Sequence, residues 1–225
     1  MPVYNEERTL VEIVDAVLQE PTPKELILVD DGSTDASRSI LDELSKRAGV
    51  RTLLHERNLG KGAALRSGFE AARGDVVLIQ DADLEYDPQD YPTLLAPILA
   101  GDADVVYGSR YLVDPDHPER PRDAFGHYLG NRALTFISNL ATGLNLTDME
   151  TCYKCFRREV LGPIQIRSRR FTVEPELTAK VARSGARIWE APIRYRGRAF
   201  AEGKKIGWRD AVAALWAIAR YRFLD

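Results

Sequence analysis

Cysteine and histidine are scarce in this sequence, and long apolar runs are absent. There are 2 cysteines and 3 histidines among 225 residues. Cys152 and Cys155 form one CxxC pair with no second pair or neighbouring histidine, which disfavours a zinc site or a thioredoxin-like redox centre and favours two small buried residues beside a strand. No window approaches the ~18 consecutive apolar residues of a membrane-spanning helix. We therefore expect neither a thiolate metal site nor a transmembrane segment.

The N-terminal segment also lacks the features of a secretory leader. It carries Glu6, Glu7, Glu12, Asp15 and Glu20, whereas a leader begins with basic residues and continues with an apolar stretch. The whole chain is 44% hydrophobic and 29% charged, which is ordinary for a globular protein. Its length suits one domain. We expect a single domain, residues 1–225, located in the cytoplasm.

Charge is spread unevenly along the chain. Residues 1–150 hold 14 Lys and Arg against 27 Asp and Glu, whereas residues 151–225 hold 17 against 7. The basic C-terminal part is suited to contact anions such as phosphates or an acidic membrane surface. Charge matching with the acidic first part of the chain explains the asymmetry equally well. Both interpretations stay open at this point.

Short apolar runs alternate with helical patterns in the first half of the chain. Strands are predicted at 25–30, 51–55, 75–80 and 104–108, each followed by a helix or a loop. A strand is also expected before the "PVYNEE" motif, and because the sequence begins at Met1 we expect this first strand to be shortened or missing. This alternation predicts a parallel sheet with helices on both faces.

The pattern changes after Arg110. Residues 113–123 are polar and rich in proline, which predicts an exposed loop. The elements predicted beyond it are helices at 126–142, 174–184 and 207–222 and strands at 151–156 and 187–194. No internal repeat is present.

Acidic residues gather where predicted strands end, as in "LIQDADLE" at 78–85. Ligands of open parallel sheets bind at the carboxyl ends of the strands. Asp81 and Asp83 are two positions apart, so their carboxylates repel each other unless a cation lies between them. Carboxylate oxygens favour Mg²⁺ or Mn²⁺, and Glu85 or Asp87 is a candidate for a further ligand.

Basic residues supply the other half of a candidate site. Lys61 lies in "NLGKGAALRSG", which has neither the phosphate-loop nor the dinucleotide-binding spacing. Its ammonium group is placed to pair with a phosphate, or with Asp31 or Asp81. The other candidates lie downstream: Arg110, Arg132, Arg194, Arg196, Arg198, Lys204 and Lys205.

Seven blocks spread over almost the whole chain carry a family resemblance: "PVYNEE", "LVDDGSTD", "NLGKGAALRSGFEAARGDVVLIQDADLEYDP", "GSRY", "TDMETCYKCFRREVL", "EPELTAK" and "EGKKIGW". Their order and spacing resemble family 2 glycosyltransferases of the GT-A fold, in particular dolichyl-phosphate mannose synthases and polyprenyl-phosphate glycosyltransferases. The resemblance implies a mostly parallel, Rossmann-like α/β sheet with helices on both faces. It also implies a nucleotide-sugar-binding half at 1–109 and an acceptor-binding half at 110–225.

The resemblance further implies roles for individual residues. The nucleotide-sugar pocket would be lined by Pro2, Tyr4, Glu6, Asp31, Lys61, Asp81, Ala82, Arg198 and Lys204. Asp31 would lie near the base, and Arg198 with Lys204 would close over the donor. Asp81 and Asp83 would form a DxD pair, with one near the ribose and the other on the metal. The metal site would comprise Asp81, Asp83 and Glu85. The catalytic group would comprise Asp83, Asp148, Arg110 and Arg132.

The implied reaction is transfer of a hexose with inversion, from a donor of the GDP-mannose or UDP-glucose type, with Mg²⁺ or Mn²⁺ as cofactor. Arg110 and Arg132 would grip the phosphate of a polyprenyl or dolichyl phosphate acceptor. Such a phosphate is already ionised near neutral pH, since its second pKa is ~6, so no general base is required. Asp148 is then an orienting group beside the reacting sugar.

The last predicted helix bears on how the chain reaches a lipid. Trp208, Val212, Leu215, Ile218 and Ala219 share one face, with arginines beside it. This pattern is typical of a helix lying at a membrane interface, and it also suits a helix docked on the core. We expect a peripheral protein on the cytoplasmic face of an anionic membrane, without a nucleic-acid partner.

Three other functions remain to be weighed. One is a glycosyltransferase with a soluble phosphorylated acceptor, and another is a non-catalytic nucleotide-sugar binder, which the short first strand keeps open. A nucleotidyltransferase is disfavoured because it calls for a glycine-rich basic motif near the N-terminus, and "PVYNEE" is not one.

Overall fold

The computed structural model describes residues 1–113, 125–170, 172–197 and 208–223, with the backbone only at 125–127 and 208–211. The strands are β1 Pro2–Val3, β2 Leu26–Asp30, β3 Val50–Leu54, β4 Val76–Leu78, β5 Val105–Ser109, β6 Lys154–Arg157 and β7 Ile188–Pro192. The helices are α1 Leu10–Gln19, α2 Ser37–Leu44, α3 Lys61–Ala71, α4 Tyr91–Leu99, α5 Phe125–Thr142, α6 Arg158–Leu161, α7 Val173–Ser184 and α8 Trp208–Phe223. A 3₁₀ turn at Pro88–Asp90 precedes α4.

The first sheet is parallel, in the order β1–β2–β3. Val3 pairs with Asp30, so β1 is a genuine, though short, strand of this sheet. Every residue of β2 is buried, as predicted for a continuous apolar run covered on both faces. Helix α1 packs through apolar residues at helical spacing, namely Leu10, Ile13, Val14 and Val17.

The second sheet is mixed, in the order β4–β6–β5–β7. Strand β6 runs antiparallel to β4 and to β5, whereas β5 and β7 are parallel. The mostly parallel sheet predicted from the alternation is therefore present, with β6 inserted in the opposite direction. Strand and helix periodicity carry no information on strand direction, because a long connection can return the chain to either end of the sheet.

Three of these strands are shorter than predicted. The strand predicted at 75–80 ends at Leu78, the one predicted at 151–156 begins at Lys154, and the one predicted at 187–194 ends at Pro192. At the first two of these ends the chain continues into the loops that carry Asp81 and Cys152. The loop predicted at 113–123 lies, beyond Val113, outside the described residues.

The core has two main apolar clusters on opposite faces of β5. Val105 and Tyr107 point into one cluster, and Val106 points into the other, as strand alternation requires. The cluster around Val106 also contains Val3 and Leu28, so it joins both sheets. No helix among the described residues is long and apolar enough to cross a bilayer.

The final helix has apolar residues on two opposite faces. It buries one face, made of Ala214, Ala217, Ile218 and Tyr221. Val212, Leu215, Trp216 and Phe223 lie on the other face and are exposed. The predicted apolar face was therefore wrong in including Ile218, which faces the core. One face of this helix docks on the core, as one of the two interpretations predicted, and the location of the exposed face at a membrane stays a prediction.

Candidate active site

Lys61, the first residue of α3, is a buried cation shared by three acceptors. Its ammonium nitrogen lies 3.0 Å from the Asp81 carboxylate, 2.9 Å from Sγ of Cys152 and 3.2 Å from Oε1 of Glu174. Asp31 and Asp81 are the candidate partners of Lys61 that the sequence predicts. In the structure Lys61 pairs with Asp81 and not with Asp31. The positive group beside Asp81 in this structure is therefore Lys61.

The glycines around Lys61 let its helix start against another backbone segment. Gly60 has φ +94°, and a Cβ there would lie 1.8 Å from the carbonyl oxygen of Arg169. A Cβ on Gly62 would lie 2.1 Å from the carbonyl oxygen of Ser168. The GxG of "LGKG" thus serves close backbone packing that brings Lys61 to the site.

The charges of this group are stabilised by one another. Burial disfavours the charged ammonium, but the negative charge of Asp81, followed by its other neighbours, holds the pKa of Lys61 well above its usual value. Burial likewise opposes ionisation of Asp81, but Lys61 outweighs it and lowers the pKa of that carboxyl. Burial and Asp81 raise the pKa of the Cys152 thiol, and burial raises that of Cys155 to about 12. Both cysteines are free thiols, and Cys155 is fully buried.

The turn that contains Asp81 and Asp83 is fixed by other elements. The hydroxyl of Thr9 donates to the carbonyl of Ala82 (2.7 Å), and the amide of Glu85 donates to Oδ1 of Asp83 (3.2 Å). Leu84 adopts φ +62°, a conformation that costs energy for a residue with a side chain. Such strain in a sharp turn at the end of a strand is typical of ligand-binding loops.

The carboxylates of this turn fit a divalent cation only with outside ligands. Tyr195 donates its hydroxyl to Oε2 of Glu85 (2.9 Å), which ties that side chain to the C-terminal part of the chain. Within the described ranges, no three His, Cys, Asp or Glu side chains form a group that could hold a metal ion. Asp81, Asp83 and Glu85 are thus not a complete ligand set by themselves. Mg²⁺ and Mn²⁺ are commonly held by one or two carboxylates together with substrate phosphates and water. The carboxylate oxygens of Asp81 and Asp83 fit such a site.

Arg110 and Asp148 form a second buried ion pair, at the end of β5. Nε and one terminal nitrogen of Arg110 each lie 2.7 Å from a different oxygen of Asp148. Asn131 donates to the same carboxylate at 3.0 Å, and Asp148 is 0% exposed. Burial opposes its ionisation, but Arg110 outweighs burial and lowers the pKa of Asp148. Both oxygens of Asp148 therefore hold Arg110 in place.

The segment 147–152 links the two ion pairs. Asp148 at one end holds Arg110, and Cys152 at the other end contacts Lys61. Arg132, exposed on α5, donates to the carbonyl oxygen of Thr147 at 3.2 Å. Three of the predicted cationic residues are thus gathered along one short segment.

Of the predicted nucleotide-pocket residues, Asp31 contacts the backbone just before Lys61. Asp31 is buried and accepts hydrogen bonds from the amides of Leu59 and Gly60 (2.9 and 2.7 Å) and from His55 (2.8 Å). Pro2 lies in β1, and Tyr4 and Glu6 follow it in the loop before α1. Arg198 and Lys204 lie outside the described residues.

Four site residues were missed by the reasoning from sequence: Glu150, Lys154, Glu174 and Glu190. Glu190 accepts from the amides of Thr147 and Asp148, and the buried ammonium of Lys154 donates to the carbonyls of Met149 and Thr151. Glu174 reaches Lys61 from α7. The only signal in the sequence was that most of these residues fall inside the blocks "TDMETCYK" and "EPELTAK".

Comparison with known proteins shows the family of this chain. Residues 1–164 match the model of the family described as glycosyl transferase family 2, and the chain belongs to that family. The undecaprenyl-phosphate 4-deoxy-4-formamido-L-arabinose transferase of Pseudomonas fluorescens is 33% identical over 81% of this chain and 53% of that protein. The dodecaprenyl-phosphate galacturonate synthase of Rhizobium johnstonii is 28% identical over 88% of this chain and 58% of that protein. The chain thus spans little more than half the length of these relatives.

Solved structures confirm the predicted fold. Glucosyl-3-phosphoglycerate synthase from Mycobacterium tuberculosis, in complex with Mn²⁺ and UDP-glucose, superposes with a TM-score of 0.70 at 22% identity, covering 98% of this chain and 76% of that one. At this identity the likeness shows the fold alone. The chain has the GT-A architecture that the sequence blocks predicted.

Proposed function

We propose that the chain transfers a hexose, with inversion, from a nucleotide sugar to a polyprenyl or dolichyl phosphate, using Mg²⁺ or Mn²⁺. The observation that carries this proposal is the pair of buried cations, Lys61 and Arg110, at the two ends of the segment 148–152. A reaction that joins a diphosphate donor to a phosphate acceptor needs two anion-binding positions on either side of one sugar. The polyprenyl-phosphate substrates in the names of the relatives support the choice of acceptor.

Each cation has a distinct role in the proposed reaction. Lys61 binds the donor diphosphate and offsets the charge that grows on it as the bond to the anomeric carbon breaks. Asp81 and Asp83 would hold a divalent cation, which would supply further neutralisation of that leaving group. Arg110, held by Asp148, orients the acceptor phosphate so that its oxygen forms the new bond to the anomeric carbon from the opposite side. The ionised phosphate needs no proton removed.

Helix α5 supports a membrane-bound acceptor because its polarity is inverted. It buries the polar residues Asn131, Thr135 and Ser138 and exposes the apolar residues Leu129, Phe136, Ile137 and Leu140. A helix of a protein surrounded by water normally does the opposite. Arg132, which reaches the segment of Asp148, lies on this same exposed side. A lipid phosphate at Arg132 would place its chain beside these apolar residues.

Helix α8 extends the apolar surface. It packs against α5 and exposes Val212, Trp216 and Phe223. Arg220 lies over the ring of Trp216 at 4.9 Å, and Arg222 flanks the other side of the stripe. An apolar surface bordered by arginines suits the headgroup region of an anionic bilayer. We infer peripheral docking of α5 and α8 on the cytoplasmic face of such a membrane.

The proposed function is tested by turnover with GDP-mannose and UDP-glucose, offered separately with Mg²⁺ or Mn²⁺. Each donor is incubated with a short polyprenyl phosphate, with a soluble phosphorylated acceptor, and without acceptor. Product that requires the lipid phosphate and disappears with chelator supports the proposal. Transfer to the soluble acceptor alone would replace the lipid acceptor, and donor binding without any turnover would indicate a non-catalytic binder.

Membrane docking is tested separately with vesicles that contain anionic lipid. In a sedimentation assay the wild-type chain should pellet with the vesicles. The Phe136→Ser and Trp216→Ser variants should stay in the supernatant. Leu99, 75% exposed on α4 and away from this surface, provides the matched control Leu99→Ser. Equal loss of binding in the control variant, or none in the other two, would contradict docking through α5 and α8.

A further inference from the structure

Polar side-chain atoms that are buried yet unpaired are rare in folded proteins. Among the described residues, four such atoms have no hydrogen-bond partner: Oδ1 of Asn131, Oε1 of Glu150, Oγ1 of Thr151 and Oε2 of Glu174. Leaving such an atom unpaired costs free energy, so a group of them calls for an explanation.

The four atoms belong to residues in, or in contact with, the segment that joins the two cations of the site. Glu150 and Thr151 occupy the middle of the segment that runs from Asp148 to Cys152. At its Arg110 end, Asn131 donates to Asp148. At its Lys61 end, the other oxygen of Glu174 contacts both Lys61 and Cys152, at 3.2 and 3.8 Å. The unpaired atoms therefore belong to one region, which spans from one cation to the other.

This region is rigid, so the unpaired atoms are not the result of a loose turn. The amide of Met149 donates to the hydroxyl of Thr135, and the amide of Cys152 donates to the hydroxyl of Tyr86, each at 3.1 Å. The ammonium of Lys154 donates to the carbonyl oxygen of Met149 at 3.1 Å. The backbone on both sides of Glu150 is thus held by three other elements.

The chemistry of the four atoms selects the ligand. All four accept hydrogen bonds, and two belong to carboxyl groups, of which Glu174 is 5% exposed. Phosphate, which has only acceptor oxygens and negative charge near neutral pH, is repelled here. A sugar presents several hydroxyl donors and no charge. The sugar in transfer also has to lie between the cation of the donor and the cation of the acceptor.

We propose that Glu150 and Glu174, with Asn131 and Thr151, bind the hydroxyls of the transferred sugar and select donors whose sugar carries no carboxylate. This inference rests on the proposed function. It predicts a donor unlike the galacturonate in the name of one relative. Burial, followed by the charge of Glu174, raises the pKa of Glu150 to about 7, which shows how poorly this region tolerates a further negative charge.

The test compares sugar nucleotides that differ only in a carboxylate at C6. UDP-glucose is paired with UDP-glucuronate, GDP-mannose with GDP-mannuronate, and UDP and GDP serve as references without sugar. Calorimetry with Mg²⁺ should show the wild-type chain binding the neutral donor at least about tenfold more tightly than its uronate. In Glu150→Gln and Glu174→Gln this ratio should fall by about tenfold, whereas affinity for the nucleoside diphosphate stays the same.

Glu190→Gln is the matched control because Glu190 supports the same segment through the amides of Thr147 and Asp148. The Glu190→Gln variant should bind the neutral donor and its uronate more weakly by the same factor. The ratio of the two affinities should therefore stay unchanged. A wild-type chain that binds uronate as well as neutral sugar would overturn the inference, as would a ratio that neither glutamine variant alters or that the control alters equally. If the wild type binds UDP or GDP but these ratios fail, the inference alone falls. If it binds no nucleotide at all, the proposed function falls with it.

Discussion

Lys61 and Arg110 are both largely buried cations beside a carboxylate, with side chains 12% and 11% exposed, but the two pairs are built differently. Arg110 matches both oxygens of Asp148 with two parallel hydrogen bonds of 2.7 Å. Lys61 instead places one ammonium among Asp81, Cys152 and Glu174 at 2.9–3.2 Å. A planar guanidinium in a fork is fixed by its geometry, whereas an ammonium with three alternative acceptors can exchange one for a ligand.

This difference teaches how the two halves of the site divide their work. The Arg110 side is organised before any substrate arrives, because Asp148 is fully occupied in holding it. The Lys61 side carries more acid than base, so an incoming cation and diphosphate can rearrange its ion pairs. The following variants separate these two behaviours.

The largest effect is expected from Asp81→Asn, which removes the acid of the adaptable pair. Lys61 would lose a main partner, and the metal site would lose a carboxylate. Donor binding should weaken at least about a hundredfold and should no longer respond to Mn²⁺, because the cation that would neutralise the donor diphosphate loses one of its two carboxylate ligands. Calorimetry with and without chelator measures this. Asp42→Asn, an exposed acid on α2, should bind donor normally. Metal-dependent binding that survives in Asp81→Asn would contradict the role of Asp81.

The next effect is expected from Asp148→Asn, which breaks the fixed pair. Arg110 would remain buried without its carboxylate, so unfolding in urea should become easier by about 3 kcal/mol. Transfer to lipid phosphate should fall about a hundredfold, whereas binding of the nucleoside diphosphate should persist. Equal loss of donor binding and transfer would show that the two pairs do not act separately.

A smaller effect is expected from the pH dependence of Glu150, which lies between the pairs. Burial and Glu174 raise its pKa from 4.5 to about 7, so the folded chain holds this proton more tightly than the unfolded chain. The stability that it contributes is complete below pH 4.5 and is lost as the pH rises toward 7. Urea titrations at pH 4.5 and 7.5 measure the free energy of unfolding. Between these two pH values it should fall by about 2 kcal/mol more in the wild type than in Glu150→Gln. Parallel pH profiles would contradict the raised pKa.

The smallest effect is expected from Asp104→Asn. This variant tests whether the two-point geometry alone, without burial, explains the stability that the Arg110–Asp148 pair contributes. Asp104 and Arg187 form the same two-point contact, at 3.0 and 2.7 Å, but Arg187 is more than half exposed. Water screens such a pair, so the urea midpoint should shift far less than for Asp148→Asn. A shift of similar size would mean that burial does not distinguish the two pairs.

Much of the fold could be read from the sequence, because faces of strands and helices repeat at fixed local spacing. The buried run of β2 and the buried positions of α1 were predicted in this way. The position of Asp81 and Asp83 in a turn beyond a strand followed from the same pattern. The residues that complete the site did not, because Lys61 meets Cys152 across 91 positions and Glu174 lies still further along the chain.

By itself, then, the sequence determined the order of strands and helices, the acidic turn beyond β4 and the family to which the chain belongs. Only the tertiary structure decided that β6 runs against its neighbours, that α5 turns its apolar side outward, and that Glu174 on α7 reaches Lys61 on α3. The physical reason is that local periodicity records which residues share a face. Which faces meet depends on packing summed over the whole chain, and no short stretch of sequence contains that sum.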